Sequence, residues 1–218
     1  YSIIMVNQEQ KLYRKAYWLS LFTIFYNIIE GIVSMILGYE DETLSLFGFG
    51  ADSFIEVMSG VGIAMMIIRI KRNSGSIRSS FEITALKITG TAFFLLSAGL
   101  SAGIVLNIVK GHKPETTVWG IIISLVSIVV MVWLMNSKIN IGRKLQSEPI
   151  IADANCTKVC IYMSVVLLVS SLVYELTGFA YADAIGSAGL VYLSFTEGIE
   201  SFEKAKNKEC SCESKEPK

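Results

Sequence analysis

Apolar residues along this chain occur in long, nearly unbroken runs, and the polar segments between the runs are short. Several runs reach the roughly 20 residues that an α-helix needs to cross the hydrocarbon core of a bilayer. The pattern predicts an all-α fold, a bundle of six transmembrane helices. We place these helices at about residues 13–38, 44–70, 82–109, 117–137, 152–177 and 181–203.

Polar segments at both ends frame the predicted bundle. We expect residues 1–12 to form an N-terminal cytosolic segment and residues 13–203 to form the transmembrane domain. The stretch KAKNKECSCESKEPK, residues 204–218, is charged and polar, so we predict a flexible cytosolic tail. We expect neither a separate soluble domain nor a cleavable signal peptide.

The distribution of Lys and Arg predicts the orientation of the bundle. If the N-terminus is cytosolic, 15 of the 19 Lys and Arg residues, Lys138 included, lie in cytosolic segments. The outer loops carry only Lys110 and Lys113, and Lys87 and Lys158 lie within predicted helices. Basic residues concentrate on the cytosolic side of membrane proteins. Both termini should therefore be cytosolic.

The composition agrees with a membrane protein. Hydrophobic residues make up 52% of the chain and charged residues 17%, where a soluble domain carries roughly 25% charged residues. The formal net charge is zero, and nothing in the charge pattern indicates a nucleic acid partner.

Two carboxylates in the second predicted helix need an explanation. Asp52 and Glu56 are four residues apart, which places them on one helix face. Carboxylates inside a membrane are functional candidates by default. Two neighbouring anions become tolerable when a cation or a proton lies between them. A structural hydrogen-bonded pair remains the alternative.

The fifth predicted helix carries two thiols with the same spacing. Cys156 and Cys160 are four residues apart, and Asp153 shares their face. Small apolar packing is the plain interpretation of such thiols. Together with the acidic pair, however, they supply four ligand atoms that suit tetrahedral Zn²⁺ or the softer Cd²⁺. Thiolates disfavour Mg²⁺ and Ca²⁺, which prefer oxygen ligands.

Other polar residues are candidates for supporting roles. We expect Asn27 and Glu30 to face the same cavity as Asp52, beside the metal ligands or as a proton relay. Asp153 is a similar candidate, or an additional ligand. Cys210 and Cys212 are either part of a plain polar tail or a flexible metal-capturing pair. Several charged residues lie near predicted helix ends, where they can reach the headgroups: Lys87, Glu175, Asp183, Glu197 and Glu200.

The segments LSLFGFGADSFIEVMSG and DANCTKVC together resemble the cation diffusion facilitator superfamily of metal/proton antiporters. That family carries Asp-x-x-x-Asp in its second helix and typically His-x-x-x-Asp in its fifth. By position, Asp52 and Glu56 match the first pair, and Cys156 and Cys160 match the second. We expect no counterpart of the family's usual cytosolic domain, and the resemblance therefore implies the short six-helix branch that lacks it.

The resemblance implies export of a metal ion from the cytosol in exchange for protons, by alternating access in a homodimer. The two Cys residues favour Zn²⁺ or Cd²⁺ as the transported ion over Mn²⁺ or Fe²⁺. Protons would compete for the same carboxylate and thiolate atoms. The short loops, without outward-facing glycosylation sequons, favour a bacterial inner membrane.

Two other functional classes compete with a transporter. A membrane hydrolase or desaturase needs a nucleophile with its base or a cluster of His, and this chain has one His. The spacing of Cys156 and Cys160 is not the usual redox spacing. A membrane metal sensor or scaffold that binds metal without transport is the remaining alternative.

Overall fold

The computed structural model describes residues 2–72, 78–110, 114, 116–179 and 181–213. These residues form six α-helices and no strand, which confirms the predicted all-α bundle. The helices are α1 (Ser2–Glu40), α2 (Leu44–Arg72), α3 (Arg78–Lys110), α4 (Val118–Lys144), α5 (Glu148–Thr177) and α6 (Ala182–Glu213).

Five of the described helices, α1 to α5, contain segments long and apolar enough to cross a membrane. The sixth helix does not reach the same hydropathy. It combines Asp183, Glu197 and Glu200 with many small Gly, Ser and Ala residues, which dilute its apolar content. Its role as a sixth span, and the cytosolic position of both termini, stay predictions.

The bundle is apolar on its surface and polar at many places inside. Phe25, Leu95 and Val129 expose 68%, 70% and 71% of their surface, while Thr23 and Ser164 are fully buried. Lipid chains are as apolar as these exposed side chains, and small hydroxyl residues let membrane helices approach closely. Together with the five apolar helices, this surface identifies a multi-pass integral membrane protein.

The helices pack mainly in three pairs, α1 with α2, α4 with α5, and α3 with α6. The first pair is held close at two glycines. A Cβ atom on Gly50 would lie 2.9 Å from the Gly31 carbonyl oxygen, and one on Gly31 would lie 3.0 Å from the Gly50 oxygen. Only glycine permits this approach. It brings Glu30 of α1 against Ser53 of α2.

Two carboxylates cap the first turns of α2 and α4. The carboxylate of Asp183 accepts hydrogen bonds from the backbone N–H groups of Leu44 and Ser45, at 3.0 Å each, and from the Ser45 hydroxyl. Glu175 accepts from the Thr117 N–H before α4 at 2.6 Å. The first N–H groups of a helix have no partner within the helix, so they attract carboxylates. Asp183 is buried, and its predicted position at the headgroups is wrong.

All six described helices are longer than predicted, and three of them, α1, α4 and α6, extend the furthest. α1 begins at Ser2, and α6 continues to Glu213, through part of the segment assigned to the tail. α4 continues to Lys144, and its buried face includes Leu134, Lys138 and Ile141. This spacing of three to four residues keeps one face turned inward through a polar stretch. The assignment of Lys138 to a cytosolic segment is therefore wrong.

Candidate metal site

The predicted acidic pair meets one of the two predicted thiols where α2 packs against α5. Asp52, Glu56 and Cys160 are buried, with 2%, 4% and 7% of their surface exposed. The Cys160 thiol donates a hydrogen bond to Asp52 Oδ2 across 3.5 Å. Glu56 interacts electrostatically with both residues. Carboxylates of one helix therefore contact a thiol of the other in the interior of the bundle.

The separation of Asp52 and Cys160 fits two ligands of one ion. A zinc ion binds sulfur at about 2.3 Å and carboxylate oxygen at about 2.0–2.2 Å, and tetrahedral angles then place the sulfur and oxygen about 3.5 Å apart. The observed distance between Cys160 Sγ and Asp52 Oδ2 is 3.5 Å. A metal ion could replace the thiol proton between these atoms without a large movement of either helix.

Glu56 offers an oxygen that lacks a partner. Its Oε1 accepts a hydrogen bond from the Thr157 hydroxyl at 2.9 Å. Its Oε2 is buried and has no hydrogen-bond partner within the described part of the chain. Leaving a buried carboxylate oxygen unsatisfied is costly. A bound cation would relieve that cost.

Cys156 lies apart from this contact. It is a free thiol, half-buried on α5, and it interacts electrostatically with Asp153, with Glu56, and with Glu197 and Lys204 of α6. Among the described residues, no three His, Cys, Asp or Glu side chains are grouped closely enough to hold a metal ion. A four-ligand site therefore requires Cys156 and Glu56 to move towards Asp52 and Cys160.

The candidates on α1 lie beside the acidic pair. Glu30 is buried, accepts a hydrogen bond from the Tyr26 hydroxyl at 2.8 Å and another from the Ser53 hydroxyl at 3.1 Å. Asn27 is fully buried and donates to the Thr23 carbonyl oxygen, but its Oδ1 has no partner in the described ranges. Glu30 interacts electrostatically with Asp52. α1 thus supplies one satisfied carboxylate and one free amide oxygen.

Asp153 is engaged in an ion pair that the sequence did not indicate. Its Oδ2 lies 2.9 Å from Lys138 Nζ, and its Oδ1 accepts from the Ser59 hydroxyl at 2.9 Å. The same ammonium donates to Thr157 Oγ1 at 2.9 Å and lies 4.0 Å from Glu56 Oε1. Lys138 was missed because it follows the most apolar part of α4. The spacing of Met131, Leu134, Lys138 and Ile141 was the signal that could have found it.

Cys210 and Cys212 lie in the last turns of α6, and their side chains are outside the described part of the structure. Their predicted role in metal capture therefore stays a prediction.

Comparison with known proteins identifies the family. Residues 18–206 match the model of the cation efflux transmembrane domain, and this range contains the acidic pair and both α5 thiols. The chain belongs to the cation efflux family. This confirms the resemblance to cation diffusion facilitators, and the family comprises transporters of metal cations rather than enzymes.

One protein to which this chain is similar is an uncharacterized transporter of Methanocaldococcus jannaschii. It is 30% identical to this chain over 169 residues, which make up 76% of this chain and 59% of the relative. The chain thus spans 59% of the length of that relative.

Proposed function

We propose that this member of the cation efflux family exports a thiophilic divalent metal ion, Zn²⁺ or Cd²⁺, from the cytosol in exchange for protons. The contact between Asp52 and Cys160 carries the proposal. It joins a carboxylate and a thiol at the separation of two tetrahedral ligands, in an interior where charge is otherwise unfavourable. Glu56 and Cys156 are the proposed third and fourth ligands.

The ligand atoms explain why Zn²⁺ or Cd²⁺ is the proposed cargo. Sulfur ligands select soft or borderline ions, whereas Mg²⁺ and Ca²⁺ prefer oxygen. A site made of two carboxylates and two thiols combines both types. The thiols should favour Cd²⁺ at least as strongly as Zn²⁺ and should discriminate against Mn²⁺.

Proton exchange follows from the chemistry of the same atoms. A metal ion binds the deprotonated carboxylates and thiolates, so its binding releases protons. Lower pH therefore opposes binding, and the dissociation constant should rise as pH falls. A proton supply from the outer side would displace the metal ion there, which couples outward metal movement to inward proton movement.

The proposal includes the assembly and the membrane. Alternating access would expose the site to each side in turn, in a homodimer with one site per protomer. The concentration of Lys and Arg in the predicted cytosolic segments supports cytosolic termini, and the short loops support a bacterial inner membrane.

Flux of Zn²⁺ or Cd²⁺ into proteoliposomes under an imposed pH gradient tests the proposal. We expect metal uptake that depends on the gradient and disappears in a Cys156→Ala/Cys160→Ala variant. Ser171→Ala on the same helix is the matched control. It removes one small buried polar group beside Gly120, outside the acidic cluster, and should retain flux.

Two outcomes would contradict this proposal. Undiminished flux in the double Cys variant would reject the thiols as ligands. Asp52-dependent metal binding without any flux would instead favour a metal sensor or scaffold.

A further inference from the structure

Lys138 is a buried cation beside the candidate metal site. Its side chain is 2% exposed, and its Nζ contacts Asp153 Oδ2 and Thr157 Oγ1 at 2.9 Å each. An ammonium inside a membrane bundle loses its hydration, and ionisable groups at such positions are functional candidates by default. No ligand set derived from the acidic pair and the thiols uses this residue.

The Lys138 ammonium and the proposed metal ion would both interact with Glu56. The ammonium lies 4.0 Å from Glu56 Oε1, and Thr157 bridges the two groups by accepting from Lys138 and donating to Glu56. A zinc ion on a carboxylate lies about 2.0–2.2 Å from the oxygen. An ion on the unpaired Oε2 would lie within about 8 Å of the ammonium, where like charges in a protein interior repel.

Asp153 offers the ammonium a second partner. Its Oδ2 holds Lys138 at 2.9 Å, and its Oδ1 is fixed by the hydroxyl of Ser59 on α2. A lysine side chain is a flexible stem with a compact charge at its end. Lys138 can therefore move away from Glu56 and stay paired with Asp153.

We propose that Lys138 is an internal competitor of the transported metal ion for Glu56, and that Asp153 is the counter-ion that keeps the ammonium paired while metal is bound. This inference rests on the proposed function, because it assumes that Asp52, Glu56 and Cys160 hold the ion. The competition lowers metal affinity, and a transport site must bind its ion weakly enough to release it. Asp153 then acts on the lysine rather than on the metal.

Calorimetric titration of the purified full chain with CdCl₂ or ZnCl₂, at one fixed pH, tests the competition. Lys138→Met keeps most of the side-chain volume and removes the charge. Without the competing charge we expect the metal dissociation constant to fall about tenfold or more. Lys144→Met is the matched control, an exposed lysine on the same helix, and should leave the constant unchanged.

A second pair of variants keeps the test valid if Lys138→Met folds poorly with an unpaired Asp153. Asp153→Asn alone removes the counter-ion and leaves Lys138 directed at Glu56, so its metal dissociation constant should rise. Lys138→Met/Asp153→Asn leaves neither charge unpaired and should bind metal more tightly than Asp153→Asn. An equal or weaker affinity of the double variant would overturn the inference.

The outcomes separate this inference from the function on which it rests. If the wild-type chain does not bind Zn²⁺ or Cd²⁺ at all, the proposed function fails and the inference fails with it. If the wild type binds in an Asp52-dependent manner and Lys138→Met binds no more tightly, the inference alone fails. A lower thermal midpoint of Lys138→Met with an unchanged dissociation constant would identify a purely structural ion pair between α4 and α5.

Discussion

Two buried carboxylates of this bundle, Asp183 and Glu56, differ in how completely their oxygens are satisfied. Each is 4% exposed. Asp183 accepts three hydrogen bonds at the start of α2, two of them from backbone N–H groups. Glu56 has one oxygen bonded to Thr157 and one with no partner in the described part of the chain.

The difference separates a structural carboxylate from one that we propose binds metal. A carboxylate whose hydrogen bonds are complete stabilises the helix end that it caps, and a further cation would have to disrupt those bonds. A buried carboxylate oxygen without a hydrogen-bond partner destabilises the folded state, and binding a cation relieves that destabilisation. Burial alone does not distinguish the two cases, whereas the count of partners on each oxygen does.

The largest effect is expected from Asp52→Asn. The change keeps the shape of the side chain and removes the charged oxygen that contacts Cys160. We expect metal affinity to fall about 100-fold or more, with flux at background. The thermal midpoint should not fall, because a buried charge is replaced by a neutral group. A loss of stability without a loss of metal affinity would mean that Asp52, like Asp183, has a structural role.

Asp183→Asn should lower stability and leave metal affinity unchanged, the reverse of the result expected for Asp52→Asn. The amide retains one acceptor oxygen and replaces the other with an NH₂ group, which cannot accept from the first N–H groups of α2. We expect the free energy of unfolding in detergent to fall by about 2 kcal/mol. The metal dissociation constant of the folded protein should not change. A large change in that constant would mean that the cap also shapes the metal site.

Cys160→Ser should have a smaller and more selective effect. The hydroxyl is a harder ligand at the place of the thiol, so Cd²⁺ affinity should fall about tenfold and more than Zn²⁺ affinity. Parallel calorimetric titrations with the two ions measure this difference. Cys156→Ser should have the weaker effect of the two, since Cys156 does not contact Asp52 in this structure. Equal losses for both ions would argue against sulfur ligation.

Thr157→Val is expected to have the smallest effect. The change removes the hydroxyl that donates to Glu56 and accepts from Lys138, while the volume stays nearly the same. We expect a change in metal affinity of about three- to tenfold, because Glu56 loses the group that orients it. Thr117→Val, which removes a hydroxyl bonded to Ser171, should affect stability but not metal affinity.

The apolar runs were sufficient to predict the six helices. Runs of that length have few alternatives in a membrane, because every backbone group must find its partner within a helix. Helix ends were harder to predict, since polar residues continue a helix when one face stays buried. α4 illustrates this, because it remains helical through Lys138 to Lys144.

The candidate site was predicted in part. The spacing of Asp52 with Glu56 and of Cys156 with Cys160 identified the faces, and the structure brings Asp52 and Cys160 into contact. The spacing could not reveal that Glu56 pairs with a lysine from a third helix. Contacts between helices depend on how each helix is rotated, and one helix's residue pattern does not specify its neighbour's rotation.

The pairing of helices has a mechanical consequence. Asp52 and Glu56 belong to the pair of α1 and α2, whose backbones approach closely at Gly31 and Gly50, whereas Lys138, Asp153 and Cys160 belong to the pair of α4 and α5. The boundary between these two pairs therefore runs through the proposed metal site. If the two pairs separate during the proposed transport cycle, Cys160 would move away from Asp52 while Lys138 and Asp153 stay together. A distance between labels on α2 and α5 would report that movement, and a distance between labels on α4 and α5 would not.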